Sequence, residues 1–170
     1  VTICTQDKEY FFGEIKNGEM NLNDIGKIAH QFWQEIPQHF PFVNLDQFVV
    51  MPDHVHGILE INKNVLNECT RRDEALPRLY MGEYPQMSEI SPKPCSLSVI
   101  IGAYKSIVSK TANKQFPIGF HWQPRFFDHI IRNDETLNKI REYINKNPAR
   151  WERDRNSLDS LIPEKHRNDG

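Results

Sequence analysis

The stretch VVMPDHVHGILEI, Val49 to Ile61, sets two apolar strand-like runs on either side of a Met51-Pro52-Asp53 break. With the preceding FPFVNLDQFVV it reads as a strand-turn-strand unit. Side chains alternate across a strand, so His54, His56, Ile58 and Glu60 share one face while Val55, Gly57, Leu59 and Ile61 share the other. One face reads as core and the other as a polar site. The two imidazoles stand on one side with Cα atoms about 7 Å apart, a spacing at which both rings can reach one ion. A His-x-His pair alone is read equally well as two half-buried rings satisfied by water or backbone, so residues elsewhere have to decide.

Working outward, VTICTQ alternates as a strand, and EYFFGEIKNGEMNL reads as a hairpin because Asn17-Gly18 supplies the positive-φ pair of a tight turn. Asn23 or Asp24 caps a helix whose stripe Ile25, Ile28, Ala29, Phe32, Trp33 and Ile36 follows the helical period, with Pro37 ending it. Ser96 caps a second helix with Leu97, Ile100, Ile101, Tyr104 and Val108 on its apolar face and Lys105, Ser109 and Lys110 outside. RFFDHIIR alternates as a last strand. Asn133-Asp134 opens a third helix, ETLNKIREYINKN, which Pro148 is expected to terminate. The order predicts an α+β fold: a ferredoxin-like βαββαβ antiparallel sheet with helices packed on it, an extra N-terminal hairpin and an additional C-terminal helix. Residues 1–151 form one domain in this reading, 62–95 are an irregular excursion from it, and 152–170 are a charged tail.

The chain has 170 residues, 38% of them hydrophobic and 11% aromatic, enough for one domain with a substantial core. No apolar run approaches the roughly 18 residues needed to span a bilayer, and no signal-like N-terminal segment is present, so a cytoplasmic protein without a membrane partner is expected. Cys4, Cys69 and Cys95 lack Cys-x-x-Cys spacing and support neither a disulfide framework nor a zinc ribbon. The net charge of −2 argues against a polyanionic partner, but it is unevenly spread. Ser96 to Arg153 holds ten Lys or Arg against five Asp or Glu, a net of +5 that leaves −7 elsewhere. That half is compatible with nucleic acid, and equally with a solvated basic face.

Tyr143 and Asn147 lie one turn apart on the third helix, so a phenol and an amide project from one face. Taken together, VVMPDHVHGILEI, GAYKSIVSK, WQPRFFDHIIR and IREYINKNPARW resemble, in this order, the REP-associated tyrosine transposases, a branch of the single-tyrosine HUH transposases. The four motifs cover most of Val1 to Trp151.

The resemblance implies a metal-dependent endonuclease and strand transferase that acts on single-stranded DNA at palindromic hairpins through a 5′-phosphotyrosine intermediate. It puts the metal-binding histidines at His54 and His56, the nucleophile at Tyr143 and an amide metal ligand at Asn147, where better-known relatives carry the longer Gln. It implies Mg2+ or Mn2+ as the cofactor, and the chain acting as a monomer or homodimer. For the DNA, Lys105, Lys110, Arg125 and Arg132 are the candidate phosphate contacts, and Trp122 or Phe126 the candidate base-stacking ring. His129, on the last expected strand, reads as structural. Two other readings compete. A domesticated, non-cleaving hairpin-DNA-binding protein would keep the fold and lose the chemistry. A cupin-type barrel would use His54, His56 and Glu60, but its glycines fall on Phe48 and Asn67 and three helices are too many for it.

Overall fold

A computed structural model describes residues 1–62 and 95–161, with side chains described as far as Trp151. The expected excursion over 62–95 lies outside the described residues except for its two ends. The elements are β1 (Thr2–Cys4), β2 (Gly13–Lys16), β3 (Glu19–Leu22), α1 (Asp24–Gln34), α2 (Ile36–His39), β4 (Val43–Val50), β5 (His54–Ile61), α3 (Leu97–Gln115) and α4 (Asp134–Leu161). The described residues are thus α+β, with antiparallel sheets and four α-helices among them. Among the described residues no helix is long and apolar enough to cross a membrane.

The central sheet has the order β1-β5-β4, and β2-β3 form a separate two-stranded hairpin. Asn17 and Gly18 close that hairpin with φ of 55° and 77°, the paired positive values a two-residue turn requires. Asn23 caps α1 by accepting the Gly26 N–H at 2.9 Å. Pro37 does not simply end α1. Helix α1 ends at Gln34 and α2 begins at Ile36, with Pro37 in its first turn, where a missing N–H is harmless.

The face of β5 that carries Val55 and Gly57 is the core face. Ile25, Ala29 and Trp33 of α1 are buried there together with Ile100, Ile101, Tyr104 and Val108 of α3, and the Tyr104 hydroxyl donates to the Ala29 carbonyl at 3.1 Å. The Trp33 ring lies so close to β5 that a Cβ on Gly57 would stand 2.1 Å from Trp33 Cζ2. Phe48, opposite Gly57 on β4, stacks on the other part of that ring at a centroid distance of 5.8 Å.

A β-bulge in β4 lets both faces work. Leu45 pairs with Leu59, but Phe48 pairs with Gly57, so Asp46 and Gln47 together oppose Ile58. The extra residue returns Phe48 to the core side. It also brings Asp46 to the opposite side, where its carboxylate receives Arg141 Nε at 3.0 Å and Arg141 Nη2 at 2.5 Å. That contact ties α4 across the histidine face of the sheet.

Two expectations fail. RFFDHIIR is not a continuous strand; among the described residues the isolated bridges here are Phe127 with Thr2 of β1 and, ahead of the motif, Trp122 with Thr5 just past β1. The five residue steps from Trp122 to Phe127 span three from Thr5 to Thr2, and Pro124 between the bridges has no N–H to give, so a regular ladder cannot form. Pro148 does not terminate the last helix either, because α4 runs through it to Leu161. Residues 152–161, read from sequence as part of a tail, continue that helix.

Candidate active site

His54 opens β5 directly after the Pro52-Asp53 bend, and Asp53 is buried at 7% exposure. The His54 ring meets Asp53 Oδ1 through Nδ1 at 2.5 Å. A carboxylate only accepts, so Nδ1 holds a proton, and in the neutral ring Nε2 carries the lone pair. Nε2 is buried with no hydrogen-bond partner among the described residues. An orphaned imidazole lone pair held by a carboxylate behind it is the arrangement that metal-ligating histidines use.

His56 is placed by the neighbouring strand. Thr2 pairs with His56 across the ladder, and its hydroxyl meets His56 Nδ1 at 2.8 Å. The two imidazoles pack edge to face with centroids 4.4 Å apart. Burial, and next the positive charge a protonated His54 would carry, push the His56 pKa down to about 3. It is therefore a neutral ring, able to accept or ligate, across the physiological range.

Helix α4 supplies the other wall. Asn133 caps its start by accepting the Thr136 N–H at 2.8 Å, and the Arg141 clamp on Asp46 sets its position. The Tyr143 ring then stands edge-on to His56 at 5.6 Å, and the Trp151 ring tilts over His54 at 5.7 Å. Asn147 lies between them at i+4 and is buried, 3% exposed, while Tyr143 remains 43% exposed. The buried face of α4 thus bears Asn147 and Ile144, and its open edge bears the phenol.

Among the described residues no group of three or more His, Cys, Asp or Glu side chains is arranged to hold a metal ion by itself. A metal here would be held by protein groups of another composition: the Nε2 of His54, the imidazole of His56 and the Asn147 amide. The unpartnered buried Nε2, the neutral His56 and the buried amide fit a divalent cation that takes its remaining ligands from water or phosphate oxygens.

The basic candidates are dispersed. Lys105 Nζ donates to the carbonyls of Gln123 at 2.5 Å and Pro124 at 3.2 Å, and burial lowers its pKa. It pins the segment after α3 to that helix. Lys110 is exposed on α3, in the layer behind the other face of the sheet. Arg125 and Arg132 are exposed on the segment beside β1. Trp122 is only 8% exposed, packs on Phe12, Tyr104 and Phe120, and donates its indole N–H to the Lys105 carbonyl at 3.1 Å. Phe126 also packs against the core. Trp122 thus offers little ring surface to a base, and Phe126 is half-buried. His129 is exposed.

No family model matches the chain. A Haemophilus influenzae protein named "Uncharacterized protein" is 38% identical over 160 residues, covering 94% of this chain and 84% of its own length. The chain belongs to the family of that protein. A second Haemophilus influenzae protein, named "Putative REP-associated tyrosine transposase", is 26% identical over 129 residues, which are 76% of this chain and 62% of that protein. The chain therefore matches less than two thirds of the second relative's length.

Asp53, Thr2 and Trp151 were not singled out by sequence. Trp151 was within reach: Tyr143, Asn147 and Trp151 form an i, i+4, i+8 ladder, hidden once Pro148 is taken as a stop. Thr2 was not, because nothing local to either residue reports a cross-strand partner 54 positions away.

The His56 shift has a measurable consequence in protein treated with a chelator. Its folded pKa of about 3 lies below the ordinary 6.5, so the unfolded chain binds the proton first. The stability contribution is complete above pH 6.5 and is lost as pH falls towards 3, by up to about 1.4 kcal/mol per pH unit. Urea unfolding at a series of pH values should show this slope in the wild-type protein. His56→Gln should flatten it.

Proposed function

We propose that the protein is a REP-associated tyrosine transposase: a metal-dependent endonuclease and strand transferase acting on single-stranded, hairpin-forming DNA. The observation that carries this reading is the meeting, within one chain, of an exposed Tyr143 with His56 and of the buried, unpartnered His54 Nε2 with the same cleft. A pure DNA-binding module has no need of that constellation. The 26% identity to a protein named for this family supports the same reading. The sheet order β1-β5-β4, with isolated bridges from Trp122 and Phe127 at its β1 edge, is compatible with the split βαββαβ arrangement of this reading.

His54, His56 and Asn147 would hold a divalent cation, Mg2+ or Mn2+. When bound, it supplies Lewis-acid polarisation of the scissile phosphate and lowers the cost of charge that develops there. Asp53 holds the His54 tautomer, and the Arg141–Asp46 clamp holds Tyr143 at the cleft. The Tyr143 phenol gives up its proton and its oxygen attacks phosphorus. A Tyr–O–P bond forms, the P–O3′ bond breaks, and the departing oxygen takes a proton to become a 3′ hydroxyl. The phosphotyrosine keeps the bond energy of the strand, so the reverse attack by a 3′ hydroxyl rejoins DNA. Because Tyr143 stands beside the histidines of its own chain, each monomer carries a complete site in this reading.

The experiment is product chemistry. A labelled hairpin strand from the DNA flanking the gene, incubated with protein and manganese, should yield a 3′ end that a polymerase extends and a 5′ end blocked to phosphatase. A 5′ end open to phosphatase would make the protein a hydrolytic nuclease. Binding of manganese, followed by calorimetry, should fall more than about 100-fold in the His54→Ala/His56→Ala double variant, because direct ligands outweigh the supporting groups around them. Asn147→Ala should cost less, since water replaces a single neutral oxygen. Unchanged affinity in the double variant removes the histidines as ligands.

A further inference from the structure

We propose that Phe127 is a base-stacking site for single-stranded DNA beside the histidine pair, with Arg125 and Arg132 contacting phosphates of the same strand. This rests on the reading of the protein as a single-strand DNA enzyme and adds to it a binding position outside the cleft.

Phe127 is 68% exposed, an unusual position for a ring in a protein that buries Trp33, Phe12 and Phe120 completely. Its backbone is nevertheless fixed. It accepts from the Thr2 N–H at 2.7 Å and donates to the Thr2 carbonyl at 2.9 Å. Residues paired directly across an antiparallel ladder point to the same face, and Thr2 is itself paired with His56 and bonded to its ring. Phe127, Thr2 and His56 therefore form one row, on the face against which Tyr143 stands. Two strand spacings put the Phe127 backbone about 10 Å from that of His56, within reach of the strand that would occupy the cleft. A ring held by its backbone, open on its sides and set in line with the site is a preorganised platform.

The charge around it suits a polyanion. Among the described residues neither Arg125 nor Arg132 is in an ion pair, and Asp128 is the one carboxylate over residues 119–132. Base stacking on an aromatic ring tolerates any sequence because every base has a π face, while the flanking arginines neutralise the backbone. An apolar partner protein would meet the same ring but would have to bury both unpaired guanidiniums.

The test uses the full chain, a chelator to prevent cleavage, and a short single-stranded oligodeoxynucleotide carrying 2-aminopurine. Wild-type protein should bind it and quench the probe by stacking. Phe127→Leu should weaken binding about tenfold and lose the quenching, whereas Phe127→Trp should retain both. Arg125→Gln and Arg132→Gln should each reduce the slope of log affinity against log salt by about 0.7. Both Phe127 variants alter an exposed side chain, and an unchanged circular-dichroism melt confirms that they fold. Wild-type affinity and quenching in Phe127→Leu overturn the stacking site while leaving the transposase reading intact. No binding of single strand or hairpin by the wild-type protein at low salt overturns both. A Phe127→Leu variant that changes only the sedimentation behaviour, with DNA affinity untouched, makes the patch a self-association surface and overturns the site as well.

Discussion

Tyr143→Phe should fold, bind manganese and bind hairpin DNA as the wild-type protein does, yet cut none of it. The substitution removes one oxygen from a ring that is 43% exposed and keeps the edge-on packing with His56, so stability should change by less than about 1 kcal/mol. The chemistry loses its only nucleophilic atom. Cleavage and covalent capture should therefore vanish together, measured on denaturing gels with labelled DNA. Residual cleavage at a comparable rate would assign the attack to water or another side chain. Unfolding would show instead that the hydroxyl has a structural partner. Because each chain holds Tyr143 against its own His56, mixing Tyr143→Phe with His54→Ala protein should restore nothing; restored cleavage would mean that sites are shared between copies.

Gly57→Ala should be the most damaging small substitution in the sheet. The added methyl would stand 2.1 Å from Trp33 Cζ2, well inside contact distance, and the ring cannot retreat freely because Phe48 and Tyr104 pack on it. Overpacking of this kind costs about 3 kcal/mol or more, a large share of the roughly 5–15 kcal/mol that holds a domain folded. A denaturant titration should show a marked fall in midpoint with an unchanged slope. A variant as stable as the wild type would mean that α1 slides on the sheet more easily than its packing indicates. Since Gly57 immediately follows His56, a shift of α1 also moves the candidate ligand.

The same residue shows what a local pattern can report. Parity in VVMPDHVHGILEI assigned the histidines to one face and Gly57 to the other, and both faces are occupied in that way, because a strand's period of two leaves no freedom once one side is buried. The α1 and α3 stripes were legible for the equivalent reason, since the spacing of Trp33 or Tyr104 within its own helix carries the whole signal. The hairpin followed from Asn17-Gly18. The bulge at Asp46 and Gln47 was not legible: it is a property of the pairing between β4 and β5, and neither strand alone records it. Pro148 misled because a missing N–H weakens a helix without ending it when the helix packs along its length. RFFDHIIR misled in the other direction. Its alternation is real, but Pro124 stands ahead of it, and among the described residues its one bridge to a strand is Phe127 with Thr2.

At the site, the histidines and Tyr143 could be named from sequence because their spacing is local and their order resembles a known family. Asp53 was seen only as part of a turn. Its carboxylate reaches the adjacent ring because the bend rotates it out of the strand's alternation, which a sequence pattern does not encode. Sequence offers Trp122 or Phe126 as a base-stacking ring, but burial, which sequence does not give directly, puts Trp122 in the core and leaves Phe127 outside.

The most direct test is the identity of the attacking atom. Wild-type protein incubated with hairpin DNA and manganese, denatured, digested with trypsin and nuclease and analysed by mass spectrometry should carry a nucleotide phosphate on the peptide containing Tyr143. DNA cleaved with no phosphate on that peptide, or with the phosphate on a different residue, would contradict Tyr143 as the nucleophile.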